Sequence, residues 1–327
     1  MRLTAGTLVH RDEKYLARCL ETLVAQEGIG ELGKEWQIIV RDNGAPEKGY
    51  IEEAKGKFPQ IIFLMNEENT GFAHGHNEII RRYPAEFHAV LNNDILFTPD
   101  FLAKITNGLQ ANSTYGSATG KLLHWHFGGN PERTNIIDTV GIGITKNHRF
   151  FDRGQGEEDR SQYDGERTRF GGSGAAVIYR KSDLEKVKYE GNEYFDETMF
   201  MYKEDCDLAE RLVAIGKPCL VIPEAHAWHD RTASSTIKRS MRSKRERTAS
   251  AAHHSIIIMK HWQWFPLGMR IRILFYEILR WKFLFFCEPS IFFAAWKLWR
   301  GKRSKILQRR KATKHLVPFS QIASLFQ

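Results

Sequence analysis

The sequence predicts an α/β protein with a mostly parallel central sheet, flanking helices and a C-terminal helical extension that is basic and rich in aromatic residues. Three observations carry this expectation. Short apolar runs alternate with amphipathic stretches over the first 110 residues. Each run ends in a polar, Asx- or Gly-rich segment. Beyond about residue 235 the pattern gives way to aromatic and aliphatic residues interrupted every few positions by Lys or Arg.

Leu3–Val9, Trp36–Val40, Ile61–Met65 and Phe87–Leu91 are short, β-branched or aromatic and bounded by polar clusters, as buried strands are. Between them, Glu13–Gln26, Glu47–Phe58 and Ala73–Tyr83 have helical spacing, as in Tyr15, Leu16, Leu20, Leu23 and Val24. That alternation implies βαβ units and a parallel sheet. Ile136–Ile144 reads as a further strand, Asn147–Arg169 as a long charged loop, and Phe170–Tyr179 as a glycine-rich lead into another strand. Lys203–Leu212 is helical, ending near Gly216, and Cys219–Ile222 is a short strand before Pro223 and the histidine-bearing Ala225–Asp230. The expected division is 1–235 for the α/β domain and 236–327 for the helical extension.

With 327 residues, 42% hydrophobic and 27% charged, the chain can bury a sizeable core, which excludes disordered and collagen-like classes. Its cysteines, Cys19, Cys206, Cys219 and Cys287, form no CxxC pair, so neither a disulfide scaffold nor a zinc ribbon fits, and a reducing, cytoplasmic compartment is expected. Met1–Val9 is too short for a secretory core, and no uncharged apolar run reaches the ~18 residues of a spanning helix.

The net charge of +9 is concentrated late in the chain. Arg231, Lys238, Arg239, Arg242, Lys244, Arg245 and Arg247 face one acid, Glu246. Lys297, Arg300, Lys302, Arg303, Lys305, Arg309, Arg310, Lys311 and Lys314 face none, which leaves −6 for the rest of the chain. Such asymmetry points to an anionic partner. No nucleic-acid motif accompanies the charge, and basic residues beside Trp and Phe suit helices lying in a membrane interface as well as helices packing on a core. The expected surface is an anionic membrane, not nucleic acid.

In open parallel sheets, ligands bind outside the carboxyl ends of the strands. Here those ends are His10-Arg11-Asp12, Arg41-Asp42-Asn43-Gly44, Asn66–Gly71 and Asn92-Asn93-Asp94. Asx and Gly are also ordinary loop residues. Asp94 suits a hard cation or a turn, and His229, after a later strand, stands where it completes a cation site or is an ordinary histidine. Glu204, Asp205 and Asp207 suit either a helix dipole or a general base in a crevice.

Together these residues resemble glycosyltransferase family 2 with the GT-A fold, and most closely its rhamnosyltransferase-like members. The resemblance runs from about Thr7 to Ser235, some 70% of the chain. It rests on the order and spacing of Val40–Gly44, Asn69–Asn77, Leu91–Asp94, Arg153–Glu157 with Gln162–Asp164, Gly172–Ala176, Tyr194–Leu208 and Pro223–His229. It implies an inverting transferase that moves a sugar, rhamnose from dTDP-rhamnose foremost, to a saccharide acceptor, often lipid-linked, at the cytoplasmic face of a membrane. A UDP- or GDP-hexose donor is the alternative within the family. A non-catalytic carbohydrate- or nucleic-acid-binding protein is the alternative outside it.

By the same resemblance, Thr7, Asp42, Gly71, Phe72, Ala73, Asn77, Asn92, Asn93, Asp94 and Gly174 bind the donor. Asp94 and His229 hold Mg²⁺ or Mn²⁺, Asp205 is the catalytic base with Glu204 beside it, and Asp196 and Glu197 line the acceptor side. Asn92 replaces the first acid of the Asp-x-Asp motif, which lowers the charge offered to a cation.

Overall fold

The apolar, β-branched runs of the first ninety residues become inner strands and the amphipathic stretches become their covering helices. The computed structural model describes residues 1–10, 13–127, 132–230 and 243–327. The basic residues Arg231, Lys238, Arg239 and Arg242 lie outside the described residues. In order come β1 (Leu3–Val9), α1 (Glu13–Val24), β2 (Trp36–Asp42), α2 (Gly49–Lys57), β3 (Ile62–Leu64), α3 (Phe72–Arg82) and β4 (Phe87–Leu91). They continue with β5 (Ile95–Phe97), α4 (Phe101–Ala111), β6 (Ser117–His126), β7 (Glu132–Thr139), β8 (Ile142–Ile144), β9 (Phe150–Asp152), β10 (Thr168–Arg169) and β11 (Ala176–Arg180). The remaining elements are α5 (Lys181–Val187), α6 (Glu204–Val213), β12 (Cys219–His229), α7 (Lys244–His261), α8 (Leu267–Cys287), α9 (Pro289–Gly301), α10 (Arg303–Ala312) and α11 (Phe319–Ile322).

The central sheet runs β10-β12-β6-β11-β4-β1-β2-β3, with β5 on β12 and β7 on β6. Its N-terminal half, β4-β1-β2-β3, is parallel as expected, β6 and β12 are parallel to each other, and β11 is antiparallel to both β4 and β6. The parallel order leaves the ends of β1, β2 and β4 side by side, with Thr7 paired to Val40 and Leu91.

Three features differ from the expectation. Cys219–Ile222 does not end before Pro223. It continues to His229 as β12, and a register shift between Ile222 and His226 absorbs the proline, as bulges do. Ile136–Ile144 is cut in two at Gly141, whose φ of 101° turns the chain. β6 has no apolar alternation because it is buried on both faces, and its Lys121 is neutralised by Asp159 and Asp164 at 2.9 and 2.7 Å from the charged loop.

The C-terminal helices do not stand apart from the α/β layers. Ser243 and Glu246 form a capping box that starts α7. Ala209 and Val213 of α6 share a cluster with Ile258, Phe265 and Ile273, and Cys206 shares another with Ile256 and Ile257. Within this packing, Lys260 is fully buried and pairs with Asp196 Oδ2 at 2.8 Å and with Asp207. Arg309 pairs with Asp196 Oδ1 at 3.0 Å and with Glu193, while Arg211 donates to Asp207 Oδ2 at 2.9 Å. The expected basic tail is thus partly internal: Arg309 is buried in ion pairs and Lys302 donates to the Thr198 carbonyl.

Removing one member of a buried ion pair leaves the other charge desolvated and alone, at about 3–5 kcal/mol. Lys260→Ala, which strands both Asp196 and Asp207, should lower the unfolding free energy by about that amount in urea titration. A loss below about 1 kcal/mol would remove the pair from the account of how the extension is held.

Candidate active site

The carboxyl ends of β1, β2 and β4 meet loops that the sequence closes with glycine and asparagine. At the end of β2, Asp42 Oδ1 accepts from the Ala45 amide at 2.7 Å and its Oδ2 pairs with Lys48 at 3.1 Å. Asn43 Oδ1 accepts from Arg41 at 2.7 Å and from the Thr70 amide at 3.2 Å, and its Nδ2 donates to Asn69, tying two loops together. Gly71 has φ 86°, and a Cβ there would stand 2.4 Å from the Phe200 carbonyl oxygen, which accepts from the Phe72 amide. Only glycine fits that approach.

β4 delivers Asn92-Asn93-Asp94, and β11 runs antiparallel beside it. The Asn92 amide donates to the Ala175 carbonyl at 2.7 Å. One residue earlier, the Gly174 amide donates to Asp205 Oδ2 at 3.0 Å, and Asp205 Oδ1 takes the Cys206 amide at 2.7 Å. A Cβ on Gly174 would sit 3.3 Å from Asp205 and 3.5 Å from the Phe72 ring. A short chain of contacts thus links Phe72, Gly174 and Asp205 to Asn92, two residues before Asp94.

His229, at the end of β12, is placed beside Asp94 by the pairing of His229 with Ile95. Its Nε2 lies 3.2 Å from Asp94 Oδ1 and 3.5 Å from Asn92 Nδ2, and its Nδ1 lies 2.8 Å from Asp138 Oδ2. Burial disfavours the imidazolium, but the carboxylates of Asp94 and Asp138 outweigh it and push the pKa up to about 10. A carboxylate on the far ring nitrogen is the usual support of a metal-binding histidine, because it aims Nε2 at the ion. Among the described residues no three His, Cys, Asp or Glu side chains surround a common point. Asp94 and, once deprotonated, His229 are the residues that would hold a hard cation, whose remaining ligands would come from substrate phosphates and water.

Asp205 opens α6 behind a strained turn. Tyr202 and Lys203 both have positive φ, 70° and 72°. Such residues cost of order 1–3 kcal/mol each and persist only when their surroundings hold them. The holders come from α7: His253 Nδ1 lies 2.9 Å from the Tyr202 carbonyl, and the Tyr202 hydroxyl donates to Glu246 Oε1 at 2.6 Å. Glu204 is buried, and desolvation, reinforced by Asp205, pushes its pKa well above the usual carboxylate range. Asp205 is the partly exposed member of the pair.

Some expected site residues are occupied elsewhere. Asn77 is bonded to the 194–197 segment. Its Nδ2 donates to the Phe195 carbonyl and Glu197, and its Oδ1 accepts the Tyr194 and Phe195 amides, so its full capacity is spent on the chain. Asp196 is fully buried between Lys260, Arg309 and Thr198. Ala73 packs in a core cluster with Val90 and Phe195, and Thr7 is buried within the sheet. Glu197 is half-buried on Asn77 and Arg81, and Asn93 is buried beside Asp94.

Asp138, Lys48 and the Tyr202-Lys203 turn were not singled out by sequence reasoning. Asp138 had a readable signal, a carboxylate inside the apolar run Ile136–Ile144. The other two had none.

The description "Glycosyl transferase family 2" matches residues 6–187, more than half of the chain, which belongs to that family. The matched stretch ends before Asp205 and His229, so their placement rests on the geometry above. An uncharacterized glycosyltransferase of Bacillus subtilis (strain 168) is 32% identical over 76 residues, 23% of this chain and 19% of that relative, so the match spans about a fifth of the curated protein. The fold is shared with a mannosyltransferase of Pyrobaculum calidifontis solved with GDP-mannose and Mn²⁺, at 14% identity, 93% of this chain, 75% of that one and a TM-score of 0.52. It is also shared with GalNAc-T7 solved with UDP, GalNAc and Mn²⁺, at 10% identity, 79% and 47% coverage and a TM-score of 0.58. The chain has the GT-A architecture of these structures.

A buried acid with a raised pKa favours the unfolded state progressively as pH rises above the unfolded value, near 4.5 for Glu204. Glu204→Gln should therefore melt higher than wild type at pH 8, with the gain shrinking as pH falls toward 4.5. Scanning calorimetry across that range checks the sign, and a gain that grows on acidification would refute it.

Proposed function

We propose that the protein is an inverting transferase that moves a sugar from a nucleotide-sugar to a saccharide hydroxyl. Rhamnose from dTDP-rhamnose is the favoured donor, and a lipid-linked saccharide at the cytoplasmic face of a membrane is the favoured acceptor. The observation that supports the reading is a short chain of contacts: Asp205 accepts from the Gly174 amide, the neighbouring Ala175 carbonyl accepts from the Asn92 amide, and His229 lies against both Asn92 and Asp94.

The loops around Asp42, Asn43 and Gly71–Phe72 supply the nucleoside end. Lys48, now on Asp42, holds a positive charge there until a donor engages that carboxylate. Asp94 and His229 would hold Mg²⁺ or Mn²⁺, which offsets the charge developing on the leaving diphosphate. Asp205, held by two backbone amides, keeps lone pairs free to take the proton of the acceptor hydroxyl. Attack from the Asp205 side on a sugar whose diphosphate leaves toward Asp94 inverts the anomeric centre.

The lean toward rhamnose comes from the resemblance around Arg153–Asp164. That segment is fastened to β7 by Ile137–Glu157 and Asn135–Asp159 backbone bonds, next to Asp138, which fits a loop that shapes the donor pocket. The relatives solved with GDP-mannose and with UDP favour a second reading, a GDP- or UDP-hexose donor. The exposed basic and apolar residues of α8 and α9 support association with an anionic membrane surface. Among the described residues no helix is long and apolar enough to cross a membrane.

Nucleotide release from dTDP-rhamnose, UDP-, GDP- and ADP-sugars with Mn²⁺ or Mg²⁺ tests the donor. The expected result is a dTDP-rhamnose signal that disappears with EDTA. A GDP- or UDP-sugar signal instead would select the second reading. Asp205→Asn should leave nucleotide binding unchanged by calorimetry and lower turnover by about 10²–10⁴-fold, while unchanged turnover removes Asp205 from the mechanism. Asp138→Asn should weaken activation by Mn²⁺ by about 10–100-fold, read as a shift in the Mn²⁺ concentration for half-maximal turnover.

A further inference from the structure

A cavity of about 380 Å³ opens between α7, α8 and α9. Its walls are Ile258 of α7 and Trp262 just after it, Ile273 and Trp281 of α8, and Phe292 and Trp296 of α9. The two ionisable or hydroxyl groups that reach it are already spent on the protein: Ser255 donates to Glu277 Oε2 at 2.8 Å, and Arg280 donates to both. Trp281 Nε1 also turns to Ser255, at 3.3 Å. What remains for a ligand is carbon surface. A chamber of this size and lining suits an apolar molecule.

The cavity opens onto a stripe of exposed apolar side chains that repeats at helical spacing along α8. Leu274, Phe275 and Phe286 are 53%, 65% and 76% exposed, and Phe293 continues the stripe on α9. Cations flank it. Arg300 lies over the ring of Trp296, 5.2 Å from its centre, and Arg272, Lys282 and Lys297 are exposed on the same two helices. An apolar chamber with a guanidinium stacked on its lining tryptophan complements a molecule with a hydrocarbon chain and a negative head.

We propose that this cavity receives one hydrocarbon chain of an anionic membrane lipid, whose headgroup rests among the cations of α8 and α9. The inference deepens the membrane reading above and rests on it for the source of the lipid. Its chain end abuts Met259 and Trp299, which pack in one cluster with Cys206, the residue after Asp205. The bound chain therefore lies one packing layer from the first turn of the catalytic helix.

The test separates the chain site from the membrane surface. Sodium dodecanoate, titrated into the full chain below its micelle concentration, should bind saturably at one chain per protein in calorimetry. Leu274→Trp fills the mouth without removing apolar surface, so it should weaken that binding at least tenfold and still float with phosphatidylglycerol vesicles. Trp296→Ala, which removes a wall, should weaken dodecanoate binding by a similar factor. The double variant Phe275→Asp, Phe286→Asp should bind dodecanoate like wild type but stay at the bottom of the gradient. Flotation of wild type without saturable dodecanoate binding, or Leu274→Trp binding as tightly as wild type, overturns the chain site and leaves the membrane reading standing. Dodecanoate binding without flotation retires the membrane as its source.

Discussion

The arrangement of this protein depends on a charge cluster that water does not reach. Lys260 of α7 reaches Asp196 and Asp207, Arg211 holds Asp207 from the same helix, and Arg309 of α10 closes on Asp196 and Glu193. The ring of Tyr189 lies within cation–π range of Arg211, Lys260 and Arg309, at 4.7, 5.4 and 4.3 Å. Desolvation works against every charge here, so the cluster is a poor source of net stability by itself. What it imposes is register. Each carboxylate is satisfied only when α7 and α10 sit in one position against α6, and any slip leaves a buried ion without a partner.

That register also fixes the start of α6. Asp205 takes its position because α6 begins straight after two residues with left-handed backbone, Tyr202 and Lys203. Neither is glycine, so the turn is disfavoured locally and is maintained from outside. His253 and Glu246 of α7 supply the hydrogen bonds that do so. The strain at the site and the ionic cluster behind it are two ends of one device: α7 is fixed by Lys260 and in turn fixes the turn that aims Asp205.

The parallel half of the sheet was legible because its signals are local. Phe87–Leu91 and Leu3–Val9 carry their strand character in their own composition and have the bounds expected of them. β6 was not legible, since Lys121 and His124 look like surface residues until Asp159, Asp164 and Asp138 arrive from later in the chain. The same non-locality decided the site. Asp94, Asp205 and His229 are recognisable by motif, and the fold sets His229 against Asp94 and Asp205 against Gly174. Asp196 and Asn77 belong to the same motifs, yet their partners, Lys260, Arg309 and the 194–197 backbone, assign them to holding the fold. A motif marks residues a site cannot do without, and it does not separate those that touch substrate from those that hold the ones that do.

The two roles of α7 also tie the apolar face to the chemistry. One side of this helix carries His253 and Lys260, which grip the Tyr202 carbonyl and Asp196. Another carries Ser255 and Ile258, which line the chamber against α8 and α9. A single rigid element thus sets the direction in which the aromatic stripe faces relative to the carboxylate of Asp205. Tilting one against the other would separate Lys260 from two buried acids, so the orientation is maintained at a cost the molecule avoids by staying as it is. Under the proposed function, with an acceptor that arrives on a surface, that fixed angle would do the work that diffusion and reorientation otherwise do: the surface holding the protein would also select the hydroxyl presented to Asp205.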